Sequence, residues 1–307
     1  MKTTFITSIC LIALCGGLNA QQDAMFTKYM FNSLSMNPAY AGSHENLRAS
    51  AQARRQWVSF PGSPTTLLAS MDGAAADNRM GWGALLGYDR IGLNYITDLH
   101  GNYAYRFGVG EGTLALGIRA GATWYRSNLA AADLADPVDA VFDQNVSFVI
   151  PKAGFGVYYQ QEKFYAGISV PTLVSIDPRR DFSLKDDSTF SRRHYFLHTG
   201  IVFEAADGFN LKPSVLIKAV KGAPVQADLN LQLYFLERFG VGVSYRTNDA
   251  VVCMAELFTQ SGFRIGYSYD FTLSRINNHG GGAHEIIVGY EWGGAGDKGK
   301  MRDIKYF

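Results

Sequence analysis

The chain has 307 residues, 28 basic and 27 acidic side chains for a formal net charge of +1, 13% aromatic residues, 33 glycines and 3 cysteines. So even a balance leaves no electrostatic footprint for nucleic acid or for a strongly acidic partner. Past the first twenty residues no apolar run is long enough to cross a membrane as a helix, while the mean hydropathy of -0.04 excludes nothing about a barrel, whose in-facing polar residues offset its out-facing apolar ones.

Residues 1–20 read as a secretory signal, with Lys2 as the positive start, residues 5–14 as the apolar region and Leu18-Asn19-Ala20 as a cleavage site before Gln21. Cys15 raises a lipoprotein reading, against which stands the bulky Leu14 where such signals use a small residue. Cys10 and Cys15 leave with the signal, so Cys253 stands alone, forms no intrachain disulfide and is read as packing. Lys2 leaves too, and the mature side chains balance in charge.

Residues 21–46 do not alternate, and Asn32, Asn37-Pro38 and Gly42-Ser43 break any regular pattern. Phe26, Tyr29, Phe31 and Tyr40 nevertheless need a surface to bury against. The segment is expected to be an N-terminal periplasmic arm or a plug in a lumen.

From Leu47 the period changes to two. In 225–235, Val225, Ala227, Leu229, Leu231, Leu233 and Phe235 alternate with Gln226, Asp228, Asn230, Gln232 and Tyr234, which gives a strand one apolar and one polar face. One such strand would suit a soluble sheet, but the scheme returns in 238–246 and in 263–271, where Phe263, Ile265, Tyr267, Tyr269 and Phe271 share a face. Repeated segments of about ten residues, apolar on one side and ending in aromatics, are the signature of a transmembrane β-barrel. The expected fold is all-β, a single antiparallel barrel over residues 47–292. Its strands fall at 47–57, 64–73, 80–90, 95–107, 113–125, 147–160, 163–171, 192–204, 209–218, 224–235, 238–247, 251–258, 262–273 and 283–292. An arginine at Asn230, on the lumen face, is expected to be tolerated better than one at Leu229 or Leu231.

These fourteen strands bring both ends of the chain to one side. Even-numbered connections are short turns, among them 108–112, 161–162, 205–208, 236–237 and 259–261, whereas the long connections 126–146 and 172–191 are odd-numbered. With the termini in the periplasm the long loops lie outside the cell. Their acids, Asp133, Asp136, Asp139 and Asp143 in one and Asp177, Asp181, Asp186 and Asp187 in the other, lack the dense spacing of a calcium loop and read as solvated. Residues 293–307 form a glycine- and charge-rich tail, expected in the periplasm, that closes on Tyr306-Phe307.

Gly108-Val109-Gly110-Glu111-Gly112 is flanked by strands on both sides, so it reads as a tight turn rather than a nucleotide loop. Zinc spacings and a G-x-S-x-G elbow do not occur. Asp98, His100, Asn102 and Arg106 share the lumen face of one strand, as polar residues do in any barrel. No catalytic, cofactor-binding or metal-binding residue is assigned, and the chain is not read as an enzyme.

Several ordered pieces resemble the PorP/SprF family of the Bacteroidota type IX secretion and gliding apparatus. They are Tyr29-Met30-Phe31-Asn32 with Met36-Asn37-Pro38-Ala39-Tyr40-Ala41-Gly42, then Arg55-Gln56-Trp57 before Gly62-Ser63-Pro64-Thr65-Thr66, and later Lys163-Phe164-Tyr165-Ala166-Gly167, Leu211-Lys212-Pro213-Ser214, Lys221-Gly222-Ala223-Pro224 and Gly266-Tyr267-Ser268-Tyr269-Asp270-Phe271. The resemblance implies an integral outer-membrane barrel without enzymatic activity or cofactor. Its implied partners are a periplasmic ring lipoprotein with its own partner, a peptidoglycan-linked protein, secreted cargo and outer-membrane lipid. It marks Tyr29, Asn32, Asn37, Pro38, Tyr40, Gly42, Arg55, Gln56 and Trp57 as family-motif residues for possible partner contact, and the closing Tyr306 and Phe307 join them as partner-contact candidates. Ser33 departs from the proline common in members, and the long tail points to the machine-assembling PorP branch rather than the adhesin-specific SprF branch. The alternative function is a diffusion porin or a small-molecule or lipid transporter, suggested by Arg48, Arg54, Arg119, Asp228, Arg238, Arg246, Arg264 and Asp270 on the interior.

Overall fold

The computed structural model describes residues 29–44, 46–75, 77–131, 144–176, 193–236, 238–274 and 281–292. The signal at 1–20, residues 21–28 of the arm with Phe26, the tail at 293–307 and most of both long loops, with the features read in them, lie outside the described residues.

Fifteen strands are present: β1 Arg48–Arg55, β2 Thr65–Ala74, β3 Met80–Ile91, β4 Asn94–Val109, β5 Gly112–Ser127, β6 Val146–Gln160, β7 Phe164–Ser175, β8 His194–Ile201, β9 Phe203–Ala206, β10 Phe209–Val220, β11 Gln226–Phe235, β12 Phe239–Arg246, β13 Ala250–Phe258, β14 Phe263–Thr272 and β15 Ala283–Glu291. Pairing runs antiparallel from neighbour to neighbour, and β15 returns to β1, so a 14-strand ring closes with the short β9 outside it. Closure leaves no free sheet edge in lipid, where an unpaired backbone group would have no water to bond.

The expected eighth strand, 192–204, is divided into β8 and β9 around Val202. Gly200 stands opposite Ser214 and Phe203 opposite Leu211, so the interruption faces Lys212-Pro213, and a proline has no N–H to give to the ladder. Strand β7 runs on to Ser175 because the register shifts between Ala153 and Phe155. At Gly154 between them a Cβ would lie 2.1 Å from the Pro171 carbonyl oxygen, so only glycine admits this bulge.

The short turns share one rim, here the turn rim, with the start of β1 and with Trp292, whose N–H donates to the Leu47 carbonyl at 2.9 Å. Gly110, at φ +60°, makes the tight turn between β4 and β5. Residues 128–145 and 176–193 connect strands at the opposite, loop rim.

The two faces separate as the period of two requires. On β11, Leu229 and Leu231 are 50% and 44% exposed on the outside, while Asn230 and Gln232 are buried inside. At the turn rim the outward face is aromatic, with Phe209, Phe235 and Phe239 stacked across three strands and Tyr290 packed between Phe263 and Trp292. This is the aromatic girdle of a barrel at a membrane interface. Two expectations fail at this level. Cys253 packs against no core but is exposed on the outward face, and Arg238 is not interior but exposed in the turn before β12.

Depth should govern the cost of a charge on the outward face. Leu229→Arg and Leu231→Arg should each lower the unfolding free energy by about 2–4 kcal/mol, and Val109→Arg at the turn rim by about 0–1 kcal/mol. Denaturant titration of tryptophan fluorescence in phospholipid vesicles reads the difference, and equal losses at all three positions would contradict the assigned depths.

Candidate functional site

At the turn-rim half the inward face is covered by another part of the chain. Residues 29–44 enter it, and Tyr29, Met30, Phe31, Leu34, Met36, Ala39, Tyr40 and Ala41 are all buried there. The path of this segment is set by two single-turn 3-10 helices, Ser33–Ser35 and Pro38–Tyr40. The second begins at Pro38, whose fixed φ suits a first turn, and is capped by Asn37, which accepts from the Ala39 N–H at 2.9 Å. Leu34, Ala39, Tyr40 and Ala41 pack with Leu68, Leu85, Tyr158 and Tyr165 from the wall, and Tyr29, Met30 and Met36 with Leu216, Val252 and Met254.

Irregular backbone at membrane depth must find its hydrogen bonds within the protein, and wall side chains supply them. Arg119 donates to the Leu34 and Ser35 carbonyls and, through Nε, to Asn102 Oδ1 at 2.8 Å. Ser169 donates to the Met36 carbonyl at 2.9 Å, and the Gly42 N–H donates to Asp72 Oδ2 at 3.1 Å. Asn37 Nδ2 reaches the Val157 carbonyl at 3.0 Å and His198 Nε2 at 3.2 Å, and His198 stacks on Tyr158 at 15°. Asn32 donates to Ser70 at 2.9 Å, Asn230 donates to the Tyr29 hydroxyl, and the Arg264 guanidinium lies 3.8 Å from the centre of the Phe31 ring. Asn230 therefore faces Tyr29 rather than open lumen, and an arginine there would have to displace the arm. The packing therefore replaces the tolerance expected from the sequence with an expected cost at that position.

Close approach is possible because the wall presents glycine where the arm touches it. A Cβ on Gly117 would lie 2.1 Å from Ala39 N, one on Gly156 2.1 Å from Asn37 Oδ1, and one on Gly81 1.9 Å from the Ala41 carbonyl oxygen. Gly42, at φ +62°, presses on Gly73 with 2.6 Å from an ideal Cβ to its carbonyl oxygen, so both its backbone angle and its surroundings exclude a side chain.

Toward the loop rim the lumen lining is ionic. Asp270 Oδ2 accepts from Arg54 at 2.8 Å and from Arg246 at 3.4 Å, Arg54 also reaches Glu285 at 3.1 Å, and Arg246 reaches Asp228 at 3.2 Å. Charges out of water persist when paired and hydrogen-bonded in this way. On the other wall Asp98 lies 3.5 Å from His100 and 3.7 Å from Lys152 and accepts from Thr123. Among the described residues no group of three His, Cys, Asp or Glu side chains could hold a metal ion.

Of the motif residues, Tyr29, Asn32, Asn37, Pro38, Tyr40 and Gly42 are brought together inside the lumen, where the wall takes up their contacts. Arg55, Gln56 and Trp57 stand apart at the loop-rim end of β1, Trp57 at φ 47°, a left-handed angle unusual for a bulky residue. Tyr306 and Phe307 lie outside the described residues. Sequence reading did not find Arg119, Ser169, Asp72 and His198 as fastenings of the arm, nor the glycines beneath it. The signal available was glycine at alternate inward positions, as in Gly81 with Gly83, which in a strand marks close backbone approach.

Gly117→Ala or Gly81→Ala should unseat the arm at a cost of about 1–3 kcal/mol from overpacking, whereas Gly108→Ala, with nothing within 4 Å of the new Cβ, should be silent. Arg119→Met, which strands two buried carbonyls, should cost about 2–3 kcal/mol. Heat-modifiable electrophoretic mobility and protease sensitivity of residues 29–44 check both, and a Gly117→Ala barrel as stable and protease-resistant as the parent would contradict the seating.

No curated protein matches the chain in sequence. Among solved structures, the outer membrane protein Omp33 of Acinetobacter baumannii is similar over 81% of this chain and 98% of its own, at 8% identity and a TM-score of 0.45. A FadL homologue of Pseudomonas aeruginosa is similar over 92% and 97%, at 12% and 0.48, and CdiB of A. baumannii over 81% and 60%, at 7% and 0.47. The family described as type IX secretion system membrane protein PorP/SprF matches residues 18–290, most of the chain. An antiparallel barrel filled by its own N-terminal arm thus belongs to the PorP/SprF family of type IX secretion membrane proteins.

Proposed function

We propose that this protein is a sealed outer-membrane anchor of the type IX machinery, with its turn rim, arm entrance and tail in the periplasm and its long loops outside the cell. The observation that carries the reading is the filled lumen in a member of a secretion-machine family. An arm hydrogen-bonded to the wall by Arg119, Ser169 and Asn37 leaves the barrel a platform rather than a conduit, and a ring of this size is in any case too narrow to pass a folded protein. The anchor holds the periplasmic ring lipoprotein, its partner and the peptidoglycan-linked protein, and supports export or surface attachment of cargo, in the manner of the PorP branch. Residues 293–307 make the periplasmic contact, since the short turns offer little of the roughly 800 Å² per partner that a stable interface needs.

Deleting the gene should abolish secretion or surface display of type IX cargo and leave outer-membrane permeability unchanged, and normal display in the deletion strain would refute the anchor. The purified barrel should show no steady conductance in planar bilayers, whereas a porin or transporter would conduct. Truncation after Trp292 should leave an inserted, heat-modifiable barrel that no longer recovers the periplasmic components from solubilised envelopes. Undiminished recovery would move the contact to another segment.

A further inference from the structure

The outward face carries a second, localised feature at the loop rim that neither the filled lumen nor the aromatic girdle accounts for. His284, Arg55, Thr65, Arg90, Tyr95 and Arg126 are successive cross-strand partners from β15 through β5. They form one unbroken row, because residues directly opposite on antiparallel strands carry side chains on the same face. All three arginines are exposed. Each is the next outward residue after an apolar series, following Ala51 and Ala53 on β1, Leu86 and Tyr88 on β3, and Ala122 and Trp124 on β5. The row therefore marks the line where the acyl-facing band ends.

The Arg90 and Arg126 guanidiniums lie 5.6 and 5.0 Å from the centre of the same Tyr95 ring, which holds two like charges on neighbouring sides of β4. Among the described residues no carboxylate offsets them from the outward face of β1–β5. Asp89 and Asp98 point inward, to Thr66 and Thr123. At the loop-rim ends of β11 and β14, across the ring, the corresponding outward positions are apolar, with Val225 64%, Phe271 50% and Leu273 60% exposed. A ligand for this row must present anionic oxygens to several guanidinium forks at the junction with an acyl chain. Phosphate matches the fork geometry, and a lipid brings the acyl chain with it.

We propose that the loop-rim face of β1–β5 binds the phosphate groups of lipids in the surrounding leaflet, through Arg55, Arg90 and Arg126. Which leaflet this is rests on the orientation given under the proposed function. The binding itself does not, so failure of one is distinguishable from failure of the other.

The test uses the full-length barrel in detergent, titrated with diphosphoryl lipid A, with the same lipid stripped of its phosphates, and with inorganic phosphate, and read by native mass spectrometry. The phosphorylated lipid should bind the parent and lose about fivefold in affinity for each arginine replaced by glutamine, about a hundredfold for the triple variant R55Q/R90Q/R126Q. R238Q, at the opposite rim, should bind as the parent does. Equal binding by parent and triple variant, or equal binding of the phosphate-free lipid, overturns the proposal. Complete displacement of the lipid by saturating inorganic phosphate would make the row a phosphate site and overturn its assignment to lipid. The single variants, each verified as folded by heat-modifiable mobility, carry the same test should the triple variant fail to insert.

Discussion

The close contact between the arm backbone and the glycines of the wall sets the rest of the structure. A ring of about eight strands fills with its own side chains and one of sixteen to eighteen keeps a channel. A 14-strand ring falls between, too wide to be filled by its own side chains alone. Residues 29–44 fill the remainder, and they fit because Gly81, Gly117 and Gly156 concede the space that a Cβ would take. Once the arm is seated, the inward positions around it can be Leu68, Leu85, Tyr158 and Leu216, apolar residues that a wet lumen would not favour.

The strands were legible in the sequence because a period of two with aromatic ends suits little besides a barrel wall in lipid, and the alternation of short turns with long loops divided the connections between two rims. What occupied the lumen was not legible. Alternation tells which side chains face inward but not what they meet, so Asn230 read as wet when it is bonded to Tyr29. Boundaries failed where a backbone irregularity has a cause on another strand, as at Val202 opposite Lys212-Pro213 and at Gly154 beneath Pro171. Arg238 failed for a simpler reason, since parity loses its meaning once the chain enters a turn. Arg119 was read correctly as interior, yet its role depends on the Leu34 and Ser35 carbonyls arriving from a segment with no period at all. The row of Arg55, Arg90 and Arg126 was equally hidden, because residues so distant in sequence align only when every intervening register is known.

Inside and outside thus carry different work. The interior is closed by an apolar plug at one end and a paired ionic lining at the other, with Asp270 bridging Arg54 and Arg246. The exterior is asymmetric, aromatic along the turn rim and carrying the arginine row of β1–β5 at the loop rim.

The fastening of Asn37 has a consequence for the order of assembly. Its two wall partners lie 120 and 161 residues away along the chain, and other arm contacts fall on β11 and β14, near the end of synthesis. The arm is made early but has no complete seat until the last strands arrive, and contacts of such long range form late because closing long loops is entropically costly. Zipping β15 onto β1 finishes the seat and encloses its occupant in one event. Nascent chains would thus reach the insertion machinery with the arm unsatisfied, and a ring that sealed without it could admit it afterwards only by threading irregular backbone past a finished rim.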